Sequence, residues 1–156
     1  MASKKKSVLF ICLGNICRSP IAEAVFRHQV KEAGLEDKWY IDSAAIGTWH
    51  VGGRADSRAI KCLKTKGIET DHIVRQITKE DYTKFDIIFG MDDENIGDLK
   101  EMAPKNSTAQ LKLLGEYDPE HIRIIEDPYY PGNYEDFVTV LEQCIRCCKA
   151  FLNSEL

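Results

Sequence analysis

Ser7-Val-Leu-Phe-Ile-Cys-Leu13 is a short apolar run that ends at Gly14, a pattern typical of a central β-strand buried on both faces. A helical stretch opens at Ser19-Pro20, where proline suits the first helical position, and apolar side chains then recur at helical spacing until Gly34. This part of the chain is therefore predicted to form a buried strand, a tight loop and a helix.

The same alternation continues to the end of the chain. Further strands are predicted at 39–45, 86–90 and 110–114, and further helices at about 56–66, 92–102 and 137–152. The last helix is the most amphipathic, and Cys144 and Cys148 lie on its apolar face, so we expect both in the core. Strands alternating with helices predict an α/β fold: one doubly wound domain with a parallel sheet covered by helices on both faces. Ligands of such sheets lie beyond the carboxyl ends of the strands.

Composition narrows the class of protein. The chain has 156 residues, 44% of them hydrophobic, which fits a basic tail at 1–6 followed by one domain at 7–156. The net charge of −4 argues against a nucleic-acid partner. No apolar run approaches the roughly 20 residues of a spanning helix, so stable membrane insertion is not expected. The run after the basic tail is interrupted too early for a signal peptide, and we expect a cytoplasmic protein.

Cysteine usage favours reduced thiols over a disulfide framework. There are six cysteines, but disulfide scaffolds are usually smaller and less apolar than this chain. Cys144, Cys147 and Cys148 have no second pair at zinc-site spacing. We therefore expect no bound metal.

The loop from Cys12 to Ser19 lies where the first strand ends and the first helix begins. The amides of residues 13 to 18 can turn inward there, and the positive end of the helix dipole favours a phosphate-like dianion. Gly14 permits the tight turn, and Arg18 supplies a bidentate cation. Cys12 would lie beneath the anion, where the same field favours its thiolate form.

A plainer interpretation exists for each of these residues taken alone. Buried cysteines are common and mostly inert, and Arg18 could be a solvated helix residue. The combination favours a site, because Cys12, Arg18 and Ser19 each have a distinct electrostatic task at one strand-to-helix junction. Ser19 is predicted to donate its hydroxyl to the sulfur and so to help the thiolate depart from a covalent intermediate.

Two separated motifs carry a resemblance to a known family. The first is Val8-Leu-Phe-Ile-Cys12-Leu-Gly-Asn-Ile-Cys17-Arg18-Ser19-Pro-Ile-Ala-Glu-Ala24, which resembles the signature of the low-molecular-weight protein tyrosine phosphatases, and the second is Asp127-Pro128-Tyr129-Tyr130. The segments 42–44, 75–77, 91–92 and 144–151 are also similar. The resemblance implies a flavodoxin-like, four-stranded parallel sheet, no metal or other cofactor, and hydrolysis of phosphotyrosine through a cysteinyl-phosphate intermediate.

The resemblance also implies roles for particular residues. Cys12 would be the nucleophile, Arg18 the transition-state clamp and Asp127 the general acid. The substrate phosphate would be bound by the loop residues Leu13, Gly14, Asn15, Ile16, Cys17 and Ser19, and the loop would be supported by Ser43, His72 and Asp92. Taken one at a time, Asp127 could instead be an Asp-Pro turn residue and His72 a surface histidine. Asp92 could orient Arg18 or a neighbouring loop, or it could cap the helix after the third strand.

Three aromatic residues, Trp49, Tyr129 and Tyr130, lie in predicted loops that could wall the cleft. They would stack on the ring of an aryl phosphate and place the Cys12 sulfur too far below the surface for phosphoserine to reach. Ordinary packing of these aromatic rings within their loops is the alternative. The segment 47–54 departs from better-known family members, which leaves fine specificity open. The expected partners are phosphotyrosine proteins and small aryl phosphates, with phosphate and other oxyanions as inhibitors, and an acid phosphatase-like activity is expected with them.

Cys17 shares the loop with Cys12, and the resemblance suggests that the two form a reversible disulfide after oxidation. Simple packing of Cys17 is the alternative. Two other functions also compete with hydrolysis. Arsenate reduction would need further cysteines to resolve an adduct, and none lies between residues 66 and 115. A non-catalytic phosphotyrosine-binding module would not need Cys12 or Asp127.

Overall fold

The computed structural model describes residues 5–130 and 132–156, and in these the strands form one parallel four-stranded sheet. The strands are β1 (Lys6–Cys12), β2 (Trp39–Ala45), β3 (Ile87–Gly90) and β4 (Gln110–Leu113). Their order across the sheet is β2-β1-β3-β4, so β1 is central and pairs with both β2 and β3. The predicted fold class is confirmed.

Five α-helices flank this sheet in the described residues. They are α1 (Arg18–Glu32), α2 (Ser57–Lys64), α3 (Asp81–Lys84), α4 (Asp93–Met102) and α5 (Tyr134–Ser154), with short 3₁₀ turns at Glu36–Lys38 and Leu114–Tyr117. The sequence did not predict α3 or the 3₁₀ turns, because one turn is too short to show a hydrophobic period. Asp56 and Asp92 precede their helices and cap them, accepting hydrogen bonds from the backbone amides of Arg58 and Asn95.

The two faces of β1 divide the core. Phe10 and Cys12 belong to the larger cluster, under α1, α2 and α5, while Leu9 and Ile11 face the smaller one, under α3 and α4. Alternate residues of a strand point to opposite faces, so an apolar run buried on both sides produces this division. Cys144 and Cys148 are fully buried in the larger cluster, as predicted.

The amino end of the sheet differs slightly from the prediction. Lys6, assigned to the basic tail, begins β1 because it pairs with Trp39, and its ammonium donates to the backbone carbonyl of Glu155 at 2.7 Å. Residues 1–4 of that predicted tail lie outside the described residues. Among the described helices, none combines the length and the apolar character that a membrane span requires.

The order of the strands determines where a ligand binds. The chain leaves β1 toward β2 on one side and reaches β3 on the other, so the carboxyl end of β1 is the switch point of the sheet. The loop after β1 and the Met91–Asp92 turn after β3 both emerge there.

Candidate active site

Residues 12–19 form a closed loop, here called the phosphate loop, between β1 and α1. Three of its backbone carbonyls bond to the surrounding structure. Those of Cys12, Leu13 and Ile16 accept hydrogen bonds from the amides of Ile46, Gly47 and Asp56 at 3.1, 3.0 and 2.8 Å. Outward carbonyls leave the amides of the loop free to point inward.

The inner side of the phosphate loop is a set of hydrogen-bond donors. Within residues 5–130 and 132–156, no acceptor engages the amides of residues 13 to 18. The Cys12 sulfur lies below them, 3.0 Å from the Ser19 hydroxyl and 3.4 Å from the Ser19 amide. The first turn of α1 has no acidic residue, so the positive end of its dipole is unopposed. The arrangement suits an anion bound over a sulfur.

Asn15 gives the loop its shape, with its backbone in the left-handed region at φ 57°. Its side-chain amide nitrogen donates to the hydroxyls of Ser19 and Ser43 at 2.8 and 3.0 Å. Its amide oxygen lies 2.7 Å from the His72 Nε2. Asparagine tolerates this backbone conformation better than most residues, and its buried side chain fixes it further.

Gly14 has a different structural role from the one predicted. The left-handed turn falls on Asn15, not on Gly14. A Cβ on Gly14 would lie 3.2 Å from the His50 ring, a tight contact, so the glycine leaves room for that ring at the edge of the cleft.

A buried ion pair supports the network behind Asn15. His72 Nδ1 lies 3.1 Å from the carboxylate of Glu23, which also accepts from the Ser43 hydroxyl at 2.6 Å. Burial alone would raise the pKa of Glu23, but the hydrogen bond and charge of His72, with smaller effects from Ser43 and Arg27, together lower that pKa. The His72 side chain is only 6% exposed, so the plainer interpretation of it as a surface histidine is wrong.

This ion pair includes side chains of the types that bind metals. Glu23, Asp42 and His72 each place one ligand atom within 4.8 Å of the others, the one such trio in the described part of the chain. Both ring nitrogens of His72 are already engaged, Nδ1 by Glu23 and Nε2 by Asn15. The contacts therefore describe a hydrogen-bonded ion pair.

Arg18 stands at the other side of the sulfur with its guanidinium fixed. Nη1 donates to the Asp92 carboxylate at 2.6 Å and to the Ile125 carbonyl at 2.8 Å. Asp92 thus both orients Arg18 and caps α4, the two roles left open by the sequence. Burial alone would lower the pKa of Arg18, which is 3% exposed, but the negative groups around it raise that pKa. Its Nε is buried without a partner among the described residues.

Asp127 faces this guanidinium across the cleft. Its carboxylate lies 3.9 Å from the Arg18 Nη2, and the side chain is 46% exposed. We call residues 126–130 and 132–133 the acid loop. Asp127 also accepts from the Tyr129 amide at 3.0 Å, which confirms a turn at the Asp-Pro dipeptide without removing the carboxylate from the cleft.

A cleft of about 490 Å³ opens above the sulfur. It is bordered by the predicted residues Cys12, Leu13, Gly14, Ile16, Cys17, Arg18, Trp49, Asp127, Tyr129 and Tyr130, together with His50. Ser43, His72 and Asp92 lie behind it and support its walls. Trp49 is 70% exposed and Tyr130 81%, so both have a free ring surface at the mouth.

Cys17 is a second buried thiol in the phosphate loop. Burial raises its pKa, and the negative charges of Cys12, Asp56 and Asp127 raise it further. Cys17 is therefore a protonated thiol at neutral pH. The two loop cysteines are chemically distinct, and only Cys12 lies against Ser19.

Sequence reasoning missed Glu23 and His50. Glu23 could have been found, because it stands four residues after Ser19 on the buried face of α1, where an unpaired carboxylate would be costly. No comparable pattern in the sequence indicated His50. It reaches the cleft through the irregular segment between β2 and α2.

Comparison with known proteins agrees with this geometry. The family model described as low molecular weight phosphotyrosine protein phosphatase matches residues 7–156. A pig protein of that name is 57% identical over 149 residues, which cover 94% of each chain. The chain belongs to the low molecular weight phosphotyrosine protein phosphatases. It is therefore a hydrolase of the protein tyrosine phosphatase class.

Two solved structures superpose closely on this chain. The crystal structure of Primo-1 has a TM-score of 0.90 at 52% identity, covering 95% of this chain and 97% of that one. A Drosophila protein titled an arginine phosphatase, DARP, has the same TM-score at 39% identity, covering 95% of this chain and 96% of its own. The same backbone therefore occurs in a protein named as an arginine phosphatase.

Proposed function

We propose that the protein hydrolyses protein phosphotyrosine and small aryl phosphates through a cysteinyl-phosphate intermediate. The observation that carries the proposal is the Cys12 sulfur lying beneath unengaged loop amides, beside an arginine that Asp92 and the Ile125 carbonyl hold in place. Such a site holds the three equatorial oxygens of a transferring phosphoryl group. The short contact between Cys12 and Ser19 supports a thiolate that accepts hydrogen bonds.

In the first step, the Cys12 thiolate attacks phosphorus in line, so an S–P bond forms as the ester P–O bond breaks. The Arg18 guanidinium and the loop amides stabilise charge on the equatorial oxygens. Asp127 donates a proton to the departing phenolate, whose conjugate acid has a pKa near ~10 and which leaves poorly as an anion. The position of Asp127 at the open side of the cleft, opposite Arg18, supports this role.

In the second step, water attacks the phosphocysteine and returns the enzyme to its starting state. Asp127, now ionised, accepts a proton from the attacking water, and the S–P bond breaks. The Ser19 hydroxyl, 3.0 Å from the sulfur, stabilises the departing thiolate. Phosphate is released and is expected to be a competitive inhibitor, as are other tetrahedral oxyanions.

The cleft favours an aryl ester. Trp49 and Tyr130 expose ring surface at the mouth, and Tyr129 forms the wall between them and the sulfur. Aromatic walls stack on a phenyl ring, and the depth of the sulfur disfavours a short phosphoserine. The relative titled an arginine phosphatase makes phosphoarginine the necessary comparison substrate. We expect kcat/KM for a phosphotyrosine peptide to exceed that for matched phosphoserine and phosphoarginine peptides.

The decisive experiment is p-nitrophenyl phosphate hydrolysis with EDTA present. We expect turnover by the parent, none by Cys12→Ser, and a reduction of about 10²- to 10⁴-fold in Asp127→Ala. Both variants should still bind phosphate, since the loop amides and Arg18 are intact. An inactive parent would indicate a phosphotyrosine-binding module instead, and activity surviving in Cys12→Ser would refute the covalent mechanism.

Reversible oxidation is a further part of the proposal. Peroxide converts the Cys12 thiolate to a sulfenic acid, and the Cys17 thiol then displaces water to form a disulfide. A reducing cytoplasm, the location that the sequence predicts, would return both thiols. Cys17→Ser should then recover less activity than the parent after peroxide and dithiothreitol, and equal recovery would exclude the disulfide.

A further inference from the structure

Arg58, near the start of α2, contacts Asp56, the acid loop and α5. It forms a bidentate pair with Asp56, with Nε 2.9 Å from Oδ1 and Nη2 2.8 Å from Oδ2. Its Nη1 donates to the carbonyl of Gly132 in the acid loop at 2.7 Å. The guanidinium also lies 5.6 Å from the ring centroid of Tyr129 and 4.5 Å from that of Phe137. One side chain thus joins α2 to the acid loop and to α5.

Asp56 extends this connection to the phosphate loop. Its backbone amide donates to the Ile16 carbonyl at 2.8 Å, and its side chain caps α2 through the Arg58 amide. Hydrogen bonds from Arg58 hold the pKa of Asp56 below its usual range, so the pair is ionised at neutral pH. A continuous set of bonds therefore runs from Ile16 through Asp56 and Arg58 to Gly132.

The backbone of the acid loop is fitted closely to this guanidinium. Gly132 has φ 85°, and a Cβ there would collide with the Arg58 guanidinium and lie 2.7 Å from the Tyr129 carbonyl. The acid loop begins just after Ile125, whose amide donates to the Met91 carbonyl at 3.0 Å. Asp127 lies between these two attachments, and its own carboxylate bonds only locally, to the Tyr129 amide, and faces Arg18 at 3.9 Å.

We propose that Arg58, oriented by Asp56, is a positioning residue that holds the acid loop over the phosphate loop, so that the Asp127 carboxyl reaches the leaving oxygen. The inference depends on the proposed acid role of Asp127. Arg58 bonds to the loop backbone and to the face of Tyr129, and it acts through them. Its loss leaves the nucleophile, Arg18 and the loop amides in place. A misplacement of about 1 Å at a reacting group can cost about 10²-fold in rate.

The test compares kcat/KM for phenyl phosphate and p-nitrophenyl phosphate. Phenolate needs a proton in order to leave, whereas nitrophenolate is a more stable anion and needs it less. We expect Arg58→Met to lose about 10- to 100-fold on phenyl phosphate and markedly less on p-nitrophenyl phosphate, which lowers the ratio of the two constants. General damage to the fold or the phosphate loop would lower both constants equally.

Arg146→Met is the matched control. Arg146 forms a similar bidentate pair with Asp118, at 2.9 and 3.0 Å, on α5 and outside the residues that border the cleft. This variant should keep the parental ratio even if it is less stable. Asp127→Ala is the reference for a missing acid and should lower the ratio most.

The outcomes separate the two proposals. A low ratio in Asp127→Ala with a parental ratio in Arg58→Met would overturn the positioning role alone. A parental ratio in Asp127→Ala would overturn the acid assignment itself, and this inference with it. Should Arg58→Met fail to fold, Asp56→Asn keeps the helix cap but removes the charge that orients Arg58. Its ratio should fall in the same direction, and a parental value would contradict the inference.

Discussion

The phosphate loop and the acid loop face the same cleft but are held in opposite ways. Asn15 and Arg18 are buried, and they bond to Ser43, His72 and Asp92 from three other parts of the chain. In the acid loop, Asp127 and Tyr130 are exposed, and the attachments are mostly backbone groups at its ends.

The difference follows from what each loop must do. Charge on a phosphoryl group is stabilised by dipoles that are already oriented, so the phosphate loop has to be rigid before substrate arrives. A proton donor must accommodate leaving groups of different size, and exposed loops with few buried contacts open easily. Changes in the phosphate loop should therefore affect stability and catalysis together, whereas changes in the acid loop should affect catalysis alone.

The largest effect is expected from Arg18→Lys. Lysine keeps the positive charge, but its ammonium cannot form a bidentate hydrogen bond to the phosphoryl oxygens while also bonding Asp92 and the Ile125 carbonyl. We expect kcat to fall by about 10³-fold or more, in the range that transition-state arginines contribute to phosphoryl transfer. Steady-state hydrolysis of p-nitrophenyl phosphate by parent and variant measures this fall in kcat. A fall in kcat of less than about tenfold would show that a positive charge alone, without fixed bidentate geometry, is sufficient to stabilise the transition state.

The next largest effect is expected at Asn15, where two variants separate backbone strain from hydrogen bonding. Asn15→Gly accepts φ 57° but leaves Ser19, Ser43 and His72 without their shared partner. Its free energy of unfolding should fall by about 3 kcal/mol. Asn15→Ala should lose about 1 kcal/mol more, because a Cβ without the amide disfavours the left-handed conformation. Urea unfolding measures the free energy of unfolding of both variants. An alanine variant as stable as the glycine variant would contradict the expected backbone strain at position 15.

Local pattern predicted the phosphate loop well because its elements are consecutive. The apolar run of β1, the strand-to-helix junction and Pro20 are all visible within one segment. The choice of Asn15 over Gly14 for the left-handed turn was not visible, since it depends on Ser43 and His72 far along the chain.

The acid loop was predicted only through its motif. The contact between Arg58 and Gly132 joins residues 74 positions apart, and no period or cap in either segment indicates it. Long-range polar contacts of this kind depend on the tertiary fold, whereas helices and strands show their periods locally. The sequence therefore indicated the residues that border the cleft more fully than the way the two loops are joined.

A smaller effect is expected from Glu23→Gln, and it should depend on pH. The folded pKa of Glu23 is lowered, so its carboxylate stabilises the native state above the unfolded pKa of ~4.3, and this contribution is lost as pH falls through the folded pKa. We expect the variant to be less stable by about 2 kcal/mol at pH 7, with the gap narrowing below roughly pH 4.3.

Urea unfolding of parent and variant at pH 7, 5 and 3.5 measures this gap. Glu32→Gln is the matched control, an exposed glutamate on the same helix that lies 3.7 Å from His28. Exposed pairs contribute ~0–1 kcal/mol, so this control should differ little from the parent at any pH. A gap for Glu23→Gln that stays constant down to pH 3.5 would mean that its carboxylate is not the stabilising group.

The smallest effect is expected from Tyr130→Ala in the acid loop. The ring is 81% exposed and makes an edge contact with Tyr129, at 4.6 Å between centroids, so stability should stay within about 0.5 kcal/mol of the parent. Loss of one stacking surface should raise KM for a phosphotyrosine peptide about threefold, within the range of a single aromatic pair. Because Tyr130 touches none of the reacting atoms, kcat should be unchanged. A fall in kcat with constant KM would instead show that the Tyr129–Tyr130 contact helps to hold Asp127, and the acid loop would then resemble the phosphate loop in depending on its side chains for shape.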